Sequence, residues 1–254
     1  MSADLAASAT TLRGLHVPGR PLVLANIWDA ASARLAEAAG FPVVATSSGA
    51  VAESLGHGDH QDAPVDEMFA AAARIARAVG VPVTVDAEGG YGLPADDLVG
   101  RLLAAGAVGC NLEDTDYTSG GLTDVAAQAD RLASIRAAAD RTGVPLVINA
   151  RIDVFVRAGG SPESALCDDA VTRAKAYLAA GADCVYPIAL RDADVLRQLL
   201  AEVSPGAVNV LTLPGGPSVA ELAGLGVARV SMGTAVWRAA QAALAERLAE
   251  LAAN

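Results

Sequence analysis

Short apolar runs recur along the chain, each followed by a polar or glycine-rich stretch and then by an alanine- and leucine-rich segment with helical spacing. The runs at 22–26, 43–46, 83–86, 108–112, 146–149, 184–187, 208–211 and 228–231 predict strands. The segments at 30–39, 65–79, 95–105, 123–141, 162–180, 192–202, 218–223 and 234–251 predict amphipathic helices. Glycines at 40, 80, 106, 143 and 181 stand where helices should end. Strands that are apolar throughout suit a parallel sheet covered on both faces. Eight strands alternating with eight helices predict a (β/α)8 TIM-type barrel, with a doubly wound open sheet as the alternative, because periodicity does not prove closure. No linker divides the chain, so residues 1–254 read as one domain. Residues 1–20 read as an N-terminal arm, either loose or a short capping helix, and residues 233–254 as a C-terminal helix.

Composition narrows the setting. The chain has 254 residues, 53% of them hydrophobic, enough for one barrel core. Its net charge of −11, with no basic run, argues against a nucleic-acid partner. No apolar stretch approaches the roughly 20 residues of a membrane helix, and the start does not read as a signal peptide. Cys110, Cys167 and Cys184 form no close pair, as expected of reduced thiols in the cytoplasm. The single lysine, Lys175, sits inside a predicted helix, so a Schiff-base mechanism has no evident nucleophile.

A barrel places its chemistry at the C-terminal ends of the strands. Polar residues gather there: Trp28 and Asp29, Ser47, Ser48 and Gly49 with the loop through Asp59, Asp86 and Glu88, Glu113 and Asp114, Arg151 and Asp153. Asp86 and Glu88 are one residue apart, and strand alternation would put both on one side. Two like charges ending a buried strand need neutralising, and with Glu113 from the next strand they suit Mg²⁺. The alternative is that each acid caps a helix or pairs with an arginine. Arg151 shares a strand face with Asn149 and can hold a substrate carboxylate or an enolate oxygen. It can also pair with Asp153 or a ligand acid, and both can hold at once. Ser47–Gly49 reads as a small flexible turn, either an anion-binding nest or a turn that merely needs small residues. His57 and His60 read as solvated surface, and Cys110 should face the helices. The turns at 214–218 and 231–234 read either as phosphate cradles or, preferably, as helix starts.

Taken in order, Asn26-Ile27-Trp28-Asp29, Thr46-Ser47-Ser48-Gly49, Ser54-Leu55-Gly56 through Asp59, Val85-Asp86-Ala87-Glu88-Gly89-Gly90-Tyr91-Gly92, Asn111-Leu112-Glu113-Asp114 and Asn149-Ala150-Arg151 resemble the isocitrate lyase/phosphoenolpyruvate mutase family. The resemblance implies Mg²⁺, with Mn²⁺ as a substitute, held partly through waters by Asp86, Glu88 and Glu113, with Asp59 close by. It implies a 2-oxo acid or its enolate contacted by Ser47, Ser48 and Gly49 and stabilised by Arg151. Trp28, Asp29 and Asn149, within the matching motifs, join the substrate side. It also implies a homo-oligomer, dimer or tetramer, whose last helix packs on a neighbour's barrel. Three departures stand out. Glu88 replaces the family's usual aspartate. The segment 114–121 lacks the lyase lid sequence Lys-Lys-Cys-Gly-His, and Tyr186-Pro187-Ile188 stands where lyases carry a glutamate. Thr118 corresponds to a lid threonine of the phosphonopyruvate hydrolase branch, and the proton source is open among Tyr117, Thr118, Ser119 and a water on the metal. The expected activity is Mg²⁺-dependent cleavage of a C–C bond next to a 2-oxo acid through an enolate. The alternatives are C–P bond chemistry on a phosphono acid, or a binding protein that has lost catalysis.

Overall fold

The computed structural model describes residues 2–213 and 215–253. Nine strand segments, all parallel, form a nearly closed barrel in the order β1-β9-β8-β7-β6-β5-β4-β3-β2. They are β1 (Leu22–Val23), β2 (Ala25–Ile27), β3 (Val44–Thr46), β4 (Val83–Asp86), β5 (Gly109–Glu113), β6 (Val147–Ile152), β7 (Cys184–Pro187), β8 (Ala207–Leu211) and β9 (Arg229–Ser231). The first predicted strand is split. β1 pairs with β9 and β2 pairs with β3, so one stretch of chain joins the two edges of the ring. The open sheet is thereby excluded.

Ten helices surround the strands among the described residues: α1 (Ser2–Gly14), α2 (Ala30–Ala38), α3 (Ser48–Leu55), α4 (Val65–Ala76), α5 (Ala95–Ala105), α6 (Val125–Thr142), α7 (Glu163–Ala179), α8 (Ala193–Val203), α9 (Val219–Leu225) and α10 (Ala235–Ala252). Alternate strand residues such as Val85, Cys110, Leu112, Ile148, Ala150 and Val185 face outward into the main core beneath the helices. Cys110 thus lies where alternation placed it. Gly40, Gly106, Gly143 and Gly181 close their helices with positive φ, whereas Gly80 does not and instead donates its N–H to Glu37 at 2.7 Å.

The N-terminal arm is a full helix that plugs the barrel's lower end. Ala9 and Leu12 of α1 are fully buried against Leu22, Leu24, Val43, Ala45, Val108 and Val147. Gly109 leaves the room for this plug, since a Cβ there would lie 2.7 Å from Leu12 Cδ2. Asp183 ties α1 down by binding Arg13 and, from α6, Arg136, each at 2.6 Å. No helix among the described residues is long and apolar enough to cross a membrane.

Candidate active site

The site lies at the C-terminal mouth of β3 to β6. The segment 47–49, expected as a flexible turn, is instead the start of α3, with Ser47 as its N-cap. Its first free N–H groups do meet an anion, but the anion is a side chain. Ser48 donates to Asp86 Oδ2 from its backbone N–H at 3.3 Å and from its hydroxyl at 3.0 Å. The positive end of α3 thus holds one oxygen of Asp86 in place. Asp86 also has its own N–H bound to Thr46 Oγ1 at 2.8 Å. Its other oxygen, Oδ1, is buried with no hydrogen-bond partner.

Glu88 does not reach the site by strand alternation. β4 ends at Asp86, and Glu88 takes a left-handed backbone, φ 49°, a strained conformation for a residue with a Cβ. Its Oε1 accepts the Gln61 N–H at 2.6 Å, which locks it to the loop after α3. Asp59, from that same loop, sits 3.3 Å from Ser48 Oγ and directly over Gly49. A Cβ on Gly49 would lie 2.7 Å from Asp59 Oδ2, so the glycine is what admits the carboxylate.

Glu113 ends β5 and is matched in register with Arg151 on β6. Arg151 Nη1 lies 2.5 Å from Glu113 Oε2, an ion pair out of hydrogen-bond alignment, so that oxygen also lacks a donor. The guanidinium's other edge binds both oxygens of Asp153, at 2.6 and 3.0 Å. Both pairings foreseen for Arg151 therefore coexist. Asp153 is anchored in turn by Thr115 Oγ1 at 2.5 Å, and its N–H is bound to Asp114. Asp114 lies behind the site, held by Arg173 and Tyr177 at 2.9 and 2.8 Å.

The crowded acids perturb one another. Burial pushes Glu113 up to about 8, against the pull of Arg151, with Asp153 and Asp86 adding to the rise. Burial likewise pushes Glu88 up to about 7, while the Gln61 N–H opposes the shift and Asp86 adds to it. Burial works against the charge of Arg151, but the carboxylates of Glu113 and Asp153 outweigh it and raise its pKa. Among the described residues, Arg151 on Glu113 is the only ion pair made by Asp59, Asp86, Glu88 and Glu113.

The remaining sequence-proposed residues are placed as follows. Trp28 packs beside Val51 and Met68, and Asp29 is turned to its own helix, capping α2 through Ser32 at 2.7 Å. Asn149 is fully buried below Arg151 and donates to Asn111 at 2.9 Å. The lid after β5 is a small hairpin bridged between Thr115 and Leu122. Thr118 is exposed at its tip with its N–H on Asp116, away from the acids. Tyr117 turns inward and donates its hydroxyl to Glu113 Oε1, with burial and that carboxylate raising its pKa. His57 pairs with Glu67 at 3.5 Å. Of the turn at 214–218, Pro214 lies outside the described residues, and Ser218 caps α9 with Glu221. The sequence reading gave no role to Asn111, whose signal was a polar residue at an inward strand position.

A parallel barrel whose mouth carries four carboxylates, a clamped arginine and a short hairpin defines an enzyme of the TIM-barrel type. The phosphoenolpyruvate phosphomutase family profile matches residues 12–252, and the chain belongs to that family, within the PEP mutase/isocitrate lyase superfamily of lyases and mutases. A protein from Burkholderia cenocepacia J2315, provisionally named a phosphonomutase, has a crystal structure that superposes with a TM-score of 0.91 at 42% identity, covering 96% of this chain and 99% of that one. The uncharacterized protein MT2054 of Mycobacterium tuberculosis is 34% identical over 89% of this chain and 82% of its own length. The 2-methylisocitrate lyase of Escherichia coli K12 is 30% identical over 80% of this chain and 73% of its own.

Proposed function

We propose that this protein is a divalent-metal-dependent lyase that cleaves a C–C bond next to a 2-oxo acid. The observation that carries the reading is Asp86 Oδ1, a buried carboxylate oxygen with no donor, in a residue whose charge acts on both Glu88 and Glu113. Burying it so is costly unless a cation supplies the missing contact. Among the described residues no three His, Cys, Asp or Glu side chains converge into a ready-made cage. Mg²⁺ keeps several waters and takes one or two carboxylates directly, so a single orphaned carboxylate oxygen is enough to anchor it. Asp86 would bind it, and Glu88, Glu113 and Asp59 would hold its waters. When bound, the cation would polarise the 2-oxo acid's carboxylate and keto oxygens and so favour the enolate.

The chain's own groups do the rest. Arg151, fixed in plane by Asp153, presents a permanent positive charge where the enolate oxygen gains negative charge. The pair with Glu113 can loosen as substrate arrives. Tyr117, a neutral phenol inside the lid, is positioned to carry the proton that the departing carbon or oxygen exchanges, a role that Thr118 at the exposed tip cannot fill in this arrangement. The hairpin 114–122 covers the site and excludes water.

The test is turnover of a panel of 2-oxo, 2-hydroxy and phosphono acids with and without Mg²⁺. Turnover that survives Asp86→Ala unchanged would sink the metal reading. The likeness to the Burkholderia protein provisionally named a phosphonomutase supports C–P cleavage as the second reading, and release of phosphonate-derived phosphate or a shifted phosphoryl group would favour it. Ligand binding without turnover across the panel would leave a binding protein. We also infer a homo-oligomer. Helix α10 has no buried residue, and Leu244, Leu248 and Leu251 form an exposed apolar stripe along it, 52 to 56% accessible. Light scattering of Leu244→Glu/Leu248→Glu should show a smaller species than the unaltered chain.

A further inference from the structure

Below the mouth, the barrel interior is unexpectedly polar. Inward positions in such barrels are usually filled by branched apolar side chains. Here Thr84, Asn111, Asn149, Asn209, Arg229 and Ser231 occupy them, all buried. Arg229 is 1% exposed and makes no ion pair among the described residues. Its Nη2 donates to Asn111 Oδ1 at 3.1 Å, Nη1 lies 3.4 Å from His16 Nε2, and Nε has no partner. A guanidinium stays charged even when burial lowers its pKa, so this is a fixed cation without a contacting carboxylate. Asp86 is the carboxylate whose field reaches it.

Asn111 links this cation to the site. Its Oδ1 accepts from both Arg229 and Asn149, at 3.1 and 2.9 Å, so the amide cannot flip without losing two hydrogen bonds. Its NH₂ group has no partner among the described residues. Asn111 is paired in register with Asp86 and lies one inward position below Glu113. We propose that Arg229 is a positioning residue for this site: it holds Asn111 so that the amide NH₂ meets an oxygen of the bound 2-oxo acid, and it sets a fixed positive charge beneath the acids. This rests on the lyase reading above. The charge has opposite effects on the two ligands. It weakens cation binding and strengthens binding of the dianionic substrate, so the acids do not hold the metal at the expense of the substrate.

The experiment is calorimetry on the full chain, first with Mn²⁺ alone and then with oxalate at saturating Mn²⁺. Arg229→Met should tighten Mn²⁺ and weaken oxalate, each by about tenfold. Asn111→Ala should weaken oxalate about fivefold and leave Mn²⁺ unchanged. A purely structural role would weaken both ligands together in Arg229→Met, and that result overturns the proposal. Should Arg229→Met fail to fold, Asn111→Ala decides, and unaltered oxalate affinity there overturns it. If the unaltered chain binds neither Mn²⁺ nor oxalate, the lyase reading fails and this proposal falls with it. If it binds both and the variants match it, only the Arg229 proposal fails.

Discussion

Gly49→Ala separates the stability of the mouth from its chemistry, because the two should move in opposite directions. Gly49 is the second residue of α3, in helical backbone, so alanine there is worth about 0.5 to 1 kcal/mol of helix propensity and reduced unfolded-state freedom. The added Cβ would lie 2.7 Å from Asp59 Oδ2 and 3.0 Å from its Cγ, but only 3.4 Å from Thr234 Cγ2, an ordinary contact. The atoms that must give way are the far end of an aspartate on an exposed loop, which can swing aside at little cost. Urea denaturation should therefore show the variant equal to or up to about 1 kcal/mol more stable than the parent. Displacing Asp59 also breaks its 3.3 Å contact with Ser48 and removes one acid from the cation's surroundings. Mn²⁺ affinity should fall about three- to tenfold, the effect of one partly screened charge. A variant destabilised by more than 1 kcal/mol, or one that binds Mn²⁺ as the parent does, would refute the reasoning; the first outcome would mean the loop cannot yield, the second that Asp59 does not serve the metal.

Three further outcomes follow from the same geometry. Leu12→Ala empties the plug over Gly109 and should cost about 2 to 5 kcal/mol in urea denaturation; a loss below 1 kcal/mol would show that α1 does not close the barrel. His16 is held down to about 4, first by burial and then by Arg229, with Asp183 pulling the other way and Arg13 adding to the depression. Its fold-state pKa lies below the unfolded value, so the folded chain resists taking up the proton: full stability holds above pH 6.5 and about 3 kcal/mol is lost as pH falls to 4. His16→Gln should flatten that part of the pH–stability curve, and an unchanged slope would assign it to other groups. Arg151→Lys leaves Asp153 without its two-pronged partner and should cost about 1 to 3 kcal/mol of stability while abolishing measurable oxalate binding; oxalate affinity close to the parent's would remove Arg151 from the substrate's reach.

Much of the barrel was legible because its strands announce themselves. Runs such as 184–187 are buried on both faces and so carry no charged residue, and glycines cut several of the strands cleanly from the helices. One helix escaped and another stood as one of two alternatives, both for physical reasons. In α3 the opening Ser48-Gly49-Ala50 has the composition of a turn, and only its position over Asp86 makes it a helix start. In α1, read as a loose arm or a short capping helix, Ala9 and Leu12 are the fully buried residues among those described, too few to impose a helical apolar stripe on an Ala-, Ser- and Thr-rich segment. Glu88 was reached by the wrong route. Strand alternation extends only as far as Asp86, and what brings Glu88 inward is a strained backbone stitched to Gln61, a long-range contact that carries no local signature.

The polar interior was visible in the chain all along, but it needed the strand directions to be read. Once Cys110, Leu112, Ile148 and Ala150 are known to face the helices, parity forces Asn111, Glu113, Asn149 and Arg151 inward, two residues per strand, one above the other. The same parity on β8 and β9 sends Asn209, Arg229 and Ser231 inward opposite Val208, Val210 and Val230. The upper member of each pair on β5 and β6 is charged and stands at the mouth; the lower is an amide, and the two amides are bonded to each other. This stacking makes the barrel a support in depth for its own site. Asn111 and Asn149 tie β5 to β6 directly beneath the pair Glu113 and Arg151, and Arg229 joins them at the same amide oxygen. Apolar side chains could fill that volume more cheaply, but they could neither turn a donor toward the mouth nor hold a charge below it. On the proposal made for Arg229, the polar floor belongs to the site it supports and is not a compromise in packing.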